Sequence, residues 1–445
     1  MRTLNDAALA LASATHTSRD LVEASLARIA DPAGEGARAF VKVYADQAGA
    51  AADAMDSLRR TGRSPSRFAG IPISLKDLFD VAGEPTPAGS SILANAPPAG
   101  ANALIVQRLL AAGFIPIGRT NMTEFAFSGL GINPHYGTPR APYDRATGRI
   151  PGGSSSGAAV SVSDGMAFAG IGTDTGGSCR IPAAFCGVVG YKPTARRIPL
   201  QGAFPLAPSL DSIGPLARSV ACCASIDAIL AGEPERMTAP LPLAGLRLCI
   251  PQSDLVEDMD PSTEHAIDHA IRRLDKAGAQ ILYRDFTAFD LVQQAQRAGS
   301  LAVVEAYAVH RDRLAQQGPA YDPRVANRIL PGGKMAACDY INVVEARKWA
   351  RHVFAAEMAP FDALLLPTVP IAPPLLTAFA TDAEYVHLNR LALRNTSPFN
   401  FLDACAISLP CHEPGAPPAG LMLACPEMQD HWLFRVAEAV EAALL

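Results

Sequence analysis

The sequence predicts an α/β fold in which helices cover both faces of a sheet. Two stretches carry that prediction. In the first, the alternating apolar run GIPISLKDLFDV from Gly70 precedes a helical pattern from Ala101 to Ala112, a stop at Gly113, and the strand-like FIPIGRT. In the second, LRLCI around Cys249 leads into a helix opened by Asp260 and Pro261 and closed by Gly278, after which AQILYR reads as strand. Composition is the third observation: 49% hydrophobic and 18% charged residues with 35 Gly and 37 Pro describe a folded chain with many turns. Disorder, collagen and coiled coil are excluded.

Taken in order, the first thirty residues read as two short amphipathic helices. The second begins near Thr17 or Ser18, with Leu21, Val22, Leu26 and Ile29 on one face. An Ala-rich helix follows from about Asp46 to Arg60, and then comes the strand from Gly70 with Lys76 in the middle of its pattern. SVACCASIDAIL reads as a helix that packs Cys222 and Cys223 as small apolar side chains. The chain closes on the helix HWLFRVAEAVEAALL. Length alone suggests about three domains, but no linker or internal repeat divides the 445 residues.

A count of 38 Lys plus Arg against 43 Asp plus Glu gives a net charge of -5, with no dense basic block to meet a phosphate backbone. Nucleic acid is not an expected partner. No apolar run approaches the roughly 20 residues that span a bilayer, and the N-terminus lacks the pattern of a signal peptide. No membrane association and a cytoplasmic location are expected. Nine scattered cysteines without a CxxC pair fit reduced thiols better than a disulfide framework.

From Pro151 to Pro193 the chain is crowded with Gly and Ser. Flexible linkers of that composition lack apolar residues, whereas this one interleaves Val160, Val162, Met166, Phe168, Ile171, Ile181, Phe185, Val188 and Val189. It reads as buried backbone packed around a site. Two glycine pairs, Gly152-Gly153 and Gly176-Gly177, each run directly into serine. Glycine lets backbone turn tightly and aim N–H groups at a ligand.

With its GGSSSG and TDTGGSCRIP motifs and the lysine of SLKDLFD, the sequence resembles the amidase signature hydrolases. The resemblance extends through TNMTEFAFSG, HYGTPRAP, DSIGPLARS, LLLPTVPIAP and NTSPFNFLDACAISLP, and is weakest between about 230 and 360. It implies one α/β/α domain over 1–445 with a mixed central sheet: a core segment at about 66–220, a variable pocket region at about 230–360, and a return to the core over 361–445. It also implies a nucleophile at Ser178, a bridging serine preceded by a cis peptide bond at Ser154, 24 positions earlier, and a base at Lys76. Ser155 and Asp174 match positions that support the site by hydrogen bonding. Arg180 either orients the loop or an anionic part of a substrate, or forms a structural ion pair.

The chemistry suits these residues. Serine needs a base to attack, and burial lowers a lysine pKa enough for the neutral amine to serve. The oxyanion that forms is expected on the backbone N–H groups of Thr175, Gly176, Gly177 and Ser178. The expected function is hydrolysis of a non-peptide amide through an acyl-enzyme, releasing ammonia or an amine, with carbamates, ureas or esters as further substrates. No metal or organic cofactor is implied, the partner is a small amide or carbamate, and homodimers are common among relatives. Phe125, Phe127, Tyr136 and Phe204 are candidates to line an apolar pocket. Cys179 stands where the family commonly has isoleucine and is expected to pack.

Other readings compete. The same GGSSSG contains GxSxG, which would make Ser155 the nucleophile of an α/β-hydrolase with a histidine base such as His412 or His431. That elbow requires a preceding strand, and APYDRATGRIPG is turn-like. A phosphate loop lacks its GxxxxGK[ST]. His265 and His269 lie four apart on a helix but share a polar face with Glu264 and Asp268, without HExxH. An amidase-like subunit of a tRNA-dependent amidotransferase is the remaining alternative, and TSPFN looks closer to stand-alone amidases.

Overall fold

The computed structural model describes residues 3–235 and 241–444; Met1, Arg2, residues 236–240 and Leu445, all within the expected 1–445 unit, lie outside it. The two N-terminal helices run over Leu4–Ala12 and Ser18–Ala30. Thr3 and Thr17 cap them, each accepting from the backbone amide three residues on while that residue's carboxylate reaches back. Asp260 caps the helix Pro261–Lys276 with proline at its first position. These starts follow from side chains local to the turn.

Eleven strands form one sheet: β1 (Phe40–Val43), β2 (Pro72–Lys76), β3 (Ile115–Thr120), β4 (Ala169–Thr173), β5 (Val189–Lys192), β6 (Ile213–Ala217), β7 (Arg247–Pro251), β8 (Gln280–Arg284), β9 (Ala363–Pro367), β10 (Cys405–Pro410) and β11 (Gly420–Cys425). Their order is β1-β3-β2-β4-β6-β5-β10-β11-β9-β7-β8. β2 runs parallel to β3 and β4, and β7 to β8 and β9, while the remaining pairs are antiparallel. The sheet is mixed, as expected.

Alternation along the strands sorts side chains to two faces. Ile73, Leu75, Ala169 and Ile171 join the larger apolar cluster with helices Leu4–Ala12, Val220–Ala231 and Asp430–Leu444. Ile115, Ile117 and Leu216 join a second cluster with helices Ala45–Arg60 and Ser156–Ser163. Helices therefore cover both sides of the sheet. The Gly/Ser-rich stretch supplies helix Ser156–Ser163, β4, helix Arg180–Cys186 and β5, nearly all of it buried. Close approach explains one of its glycines: a Cβ on Gly172 would lie 2.7 Å from Ser155 Oγ. Cys222 and Cys223 are buried in their helix as expected, and His265 is exposed.

Lys76 differs from its sequence reading in one respect. It is the last residue of β2, not its middle, because the chain turns away at Asp77 toward Arg119. β1 is also absent from the sequence reading, since four residues at a sheet edge carry too little alternation to register.

Candidate active site

Ligand sites in α/β sheets lie beyond the carboxyl ends of parallel strands. Lys76 and Thr173 are the final residues of the parallel neighbours β2 and β4, which brings them together. Lys76 shares a strand face with Ser74, whose Oγ lies 2.8 Å from Ser161 Oγ on helix Ser156–Ser163. The lysine thus points toward the segment that opens that helix. Its Nζ donates to Ser154 Oγ at 2.7 Å and to Thr173 Oγ1 at 2.8 Å. The Gly153-Ser154 peptide bond is cis.

The side chain of Lys76 is fully buried. No carboxylate among the described residues pairs with it, and neighbouring Asp77 is held by Arg119 at 2.7 Å. Burial drives its pKa down to about 7, offset only in part by Cys179, Asp174 and Asp211. A substantial neutral fraction at physiological pH follows.

The loop after β4 carries Asp174 to Ser178. The Ser155 amide donates to the Ser178 carbonyl at 3.3 Å, which sets the two serine segments side by side. No hydrogen bond joins the Ser154 and Ser178 hydroxyls in this conformation. Catalytic hydrogen bonds in unliganded sites are often open and tighten when substrate binds. The backbone N–H groups of Thr175, Gly176, Gly177 and Ser178 find no acceptor among the described residues. Four free donors beside a serine are equipped to hold an anionic oxygen.

A buried ion pair shapes this loop. Arg180 Nε donates to Asp174 Oδ2 at 3.0 Å and Nη2 to Oδ1 at 2.9 Å. Other guanidinium donors reach the Thr396 carbonyl and Asn400 Oδ1. Burial alone would raise the Asp174 pKa, but Arg180 and Asn400 outweigh it and hold the carboxyl well below the usual range. Of the readings for Arg180, the enclosed pair with Asp174 is consistent with the structural ion pair, both side chains being wholly buried. Cys179 is buried beside the Gly214 carbonyl, with its thiol pKa pushed up by burial.

A cavity of about 170 Å³ opens at Ser178, lined also by Phe127, Thr175, Gly176, Leu206, Gln296, Ser300, Arg328 and Phe401. Phe204 lines an adjoining cavity with Thr173, Thr175 and Asp211. Two expected pocket residues belong elsewhere. Phe125 is buried against Phe204, His310 and Tyr321, and the Tyr136 hydroxyl turns toward the Ser90 carbonyl. A further cavity of about 610 Å³, around Arg28 and Arg218, holds none of the candidate residues.

Ser155, the alternative nucleophile, is enclosed, donates to the Thr173 carbonyl at 3.3 Å, and has no strand leading into it. His431 instead meets Glu233 at 2.9 Å. Several site residues were missed from sequence. Thr173 binds Lys76; Asp211 accepts from Thr175 Oγ1 at 2.5 Å; Thr396 Oγ1 donates to the Gly176 carbonyl at 2.6 Å. Asp211, Thr396 and Asn400 fall within or beside the DSIGPLARS and NTSPFN stretches, so a signal existed for them. Arg328 had none, since it lies in the stretch without motifs.

The chain belongs to the amidase family, whose sequence model matches residues 20–434. It is 36% identical over 405 aligned positions to 2-amino-5-chloromuconic acid deaminase of Comamonas testosteroni, covering 89% of this chain and 87% of that one. It is 34% identical over 473 positions to the glutamyl-tRNA(Gln) amidotransferase subunit of Chloroflexus aggregans, covering 99% and 96%. A crystal structure of an amidase superposes with a TM-score of 0.87 at 31% identity, over 99% of both chains. Family and α/β fold both agree with the resemblance read from the motifs.

Proposed function

We propose that the chain, acting as one amidase unit, is an amidohydrolase that cleaves a non-peptide amide through an acyl-enzyme at Ser178. The observation that carries this is the buried Lys76 amine in contact with Ser154 Oγ. In the proposed step, Ser178 Oγ bonds to the substrate carbonyl carbon while its proton passes to Ser154, whose own proton passes to the neutral Lys76 amine. The oxyanion rests on the N–H groups of Thr175 to Ser178. Collapse breaks the C–N bond as the relay returns the proton to the leaving nitrogen. Ammonia or an amine departs, and water, deprotonated by the same relay, releases the acid. Ser155 and Asp174 act as positioning residues.

The test is a panel of amides, anilides, carbamates and esters given to the wild-type protein and to Ser178→Ala. Hydrolysis that depends on Ser178 supports the reading; equal rates in the two overturn it. Carbamates and esters are proposed as secondary substrates. The proposed setting is the cytoplasm, a reading supported by nine free cysteines. Among the described residues, no helix is long and apolar enough to cross a membrane.

The 34% identity to an amidotransferase subunit favours a second reading, in which the chain works on glutamine within a larger assembly. Ammonia release from simple amides by the purified chain alone separates the two.

A further inference from the structure

The cavity at Ser178 has sixteen lining residues, and Arg328 is the one charged side chain among them. Half-buried Arg108 and Arg347 rest on backbone carbonyls, but the more enclosed arginines meet a carboxylate, as expected for a buried charge: Arg119 meets Asp77, Arg180 meets Asp174, and Arg197 meets Asp227. Arg328 does not. Its Nη1 donates to the Phe127 carbonyl at 2.6 Å, its guanidinium stacks 4.5 Å from the Phe127 ring centroid, and the Tyr385 phenol is its other polar neighbour. All three are neutral, and no carboxylate among the described residues forms an ion pair with it. Burial pulls its pKa below the usual value, with only Tyr385 opposing.

We propose that Arg328 is a specificity-determining residue and that the substrate is a small amide bearing a carboxylate, which this guanidinium receives while the amide carbonyl sits at Ser178. The inference rests on the amidohydrolase reading and narrows it to a substrate class. A planar fork of donors held on one side by the Phe127 carbonyl keeps its remaining N–H groups for a second partner, and a carboxylate matches that fork in both charge and shape. Gln296 and Ser300 add neutral hydrogen-bonding groups to the same cavity. A neutral amide would leave the cation without a counter-charge in a confined space, which disfavours its binding.

Matched pairs test this. The monoamides of succinic, glutaric and adipic acids are compared with the amides in which a methyl group replaces the carboxylate. For at least one pair, kcat/KM of the wild-type protein favours the acid by roughly 10- to 100-fold, the range for a charge-assisted hydrogen bond. Arg328→Gln brings that ratio close to unity, and Arg328→Lys retains part of it. A ratio between substrates does not depend on how much of a variant is folded. A wild-type ratio near unity, or one that Arg328→Gln leaves unchanged, overturns the proposal while turnover of the neutral amides leaves the amidohydrolase reading standing. If no amide is hydrolysed, that reading fails, and calorimetric binding of the same acids then decides on Arg328. Affinity for them that Arg328→Gln removes supports the anion site, and absence of affinity overturns it.

Discussion

The Lys76 amine lies 2.7 Å from Ser154 Oγ, enclosed at the carboxyl end of a strand and unpaired with any carboxylate among the described residues. An ammonium in that position would be poorly solvated, so burial favours the form with a free lone pair. The contact therefore joins a potential base to a potential proton carrier, one residue from the Ser155 amide that binds the Ser178 loop.

Removing members of this arrangement is expected to stop the chemistry while leaving the fold. Ser178→Ala abolishes turnover; Ser154→Ala and Lys76→Ala each lower kcat by about 10²–10⁴-fold. Steady-state kinetics with circular dichroism as the fold control provide the measurement. Near-normal rates in Lys76→Ala would remove the lysine from the mechanism.

Activity should follow the protonation of Lys76. With a pKa of about 7, the amine is charged below that pH and neutral above it. The profile of kcat/KM therefore rises through about pH 7 and levels on the alkaline side. A flat profile between about pH 5 and pH 9 would contradict a lysine base.

The Asp174–Arg180 pair braces the loop that carries Ser178. Asp174→Ala leaves a fully enclosed guanidinium without its counter-charge, and stability is expected to fall by about 3–5 kcal/mol in urea unfolding. A loss under about 1 kcal/mol would mean the pair behaves like a surface one.

Gly177 has φ +136°, and a Cβ there would lie 2.2 Å from Thr396 Oγ1. Gly177→Ala should displace the free N–H groups of this loop and reduce kcat by about 10²–10³-fold. Unchanged kcat in a folded variant would show that these donors do not face the reaction.

Replacing His412 and His431 with alanine, or adding a chelator, should leave turnover intact. Loss of activity in either histidine variant would revive the GxSxG reading, and chelator sensitivity would point to a metal.

Much of the architecture was legible because its signals are local. The helix start near Thr17, the Asp260-Pro261 start and the alternation from Gly70 each act through neighbours a few residues away. The motifs around Ser154 and Ser178 were equally visible, since glycine beside serine requires only short-range backbone geometry. Strand order was not legible. β4 and β10 lie in the same sheet through pairings that sequence spacing does not encode, and the aromatic residues near the site divided between core and pocket only once the helices had packed.

Sequence alone thus determined the family, the α/β class and which serines and lysine deserve attention, because short motifs and periodicity survive without knowledge of distant neighbours. Tertiary structure decided the rest. Lys76 reaches Ser154 across 78 positions and Asn400 reaches Asp174 across 226, and only the assembled sheet strips water from the amine. Whether Arg328 meets a counter-charge is likewise a property of every element around the cavity, which no local pattern records.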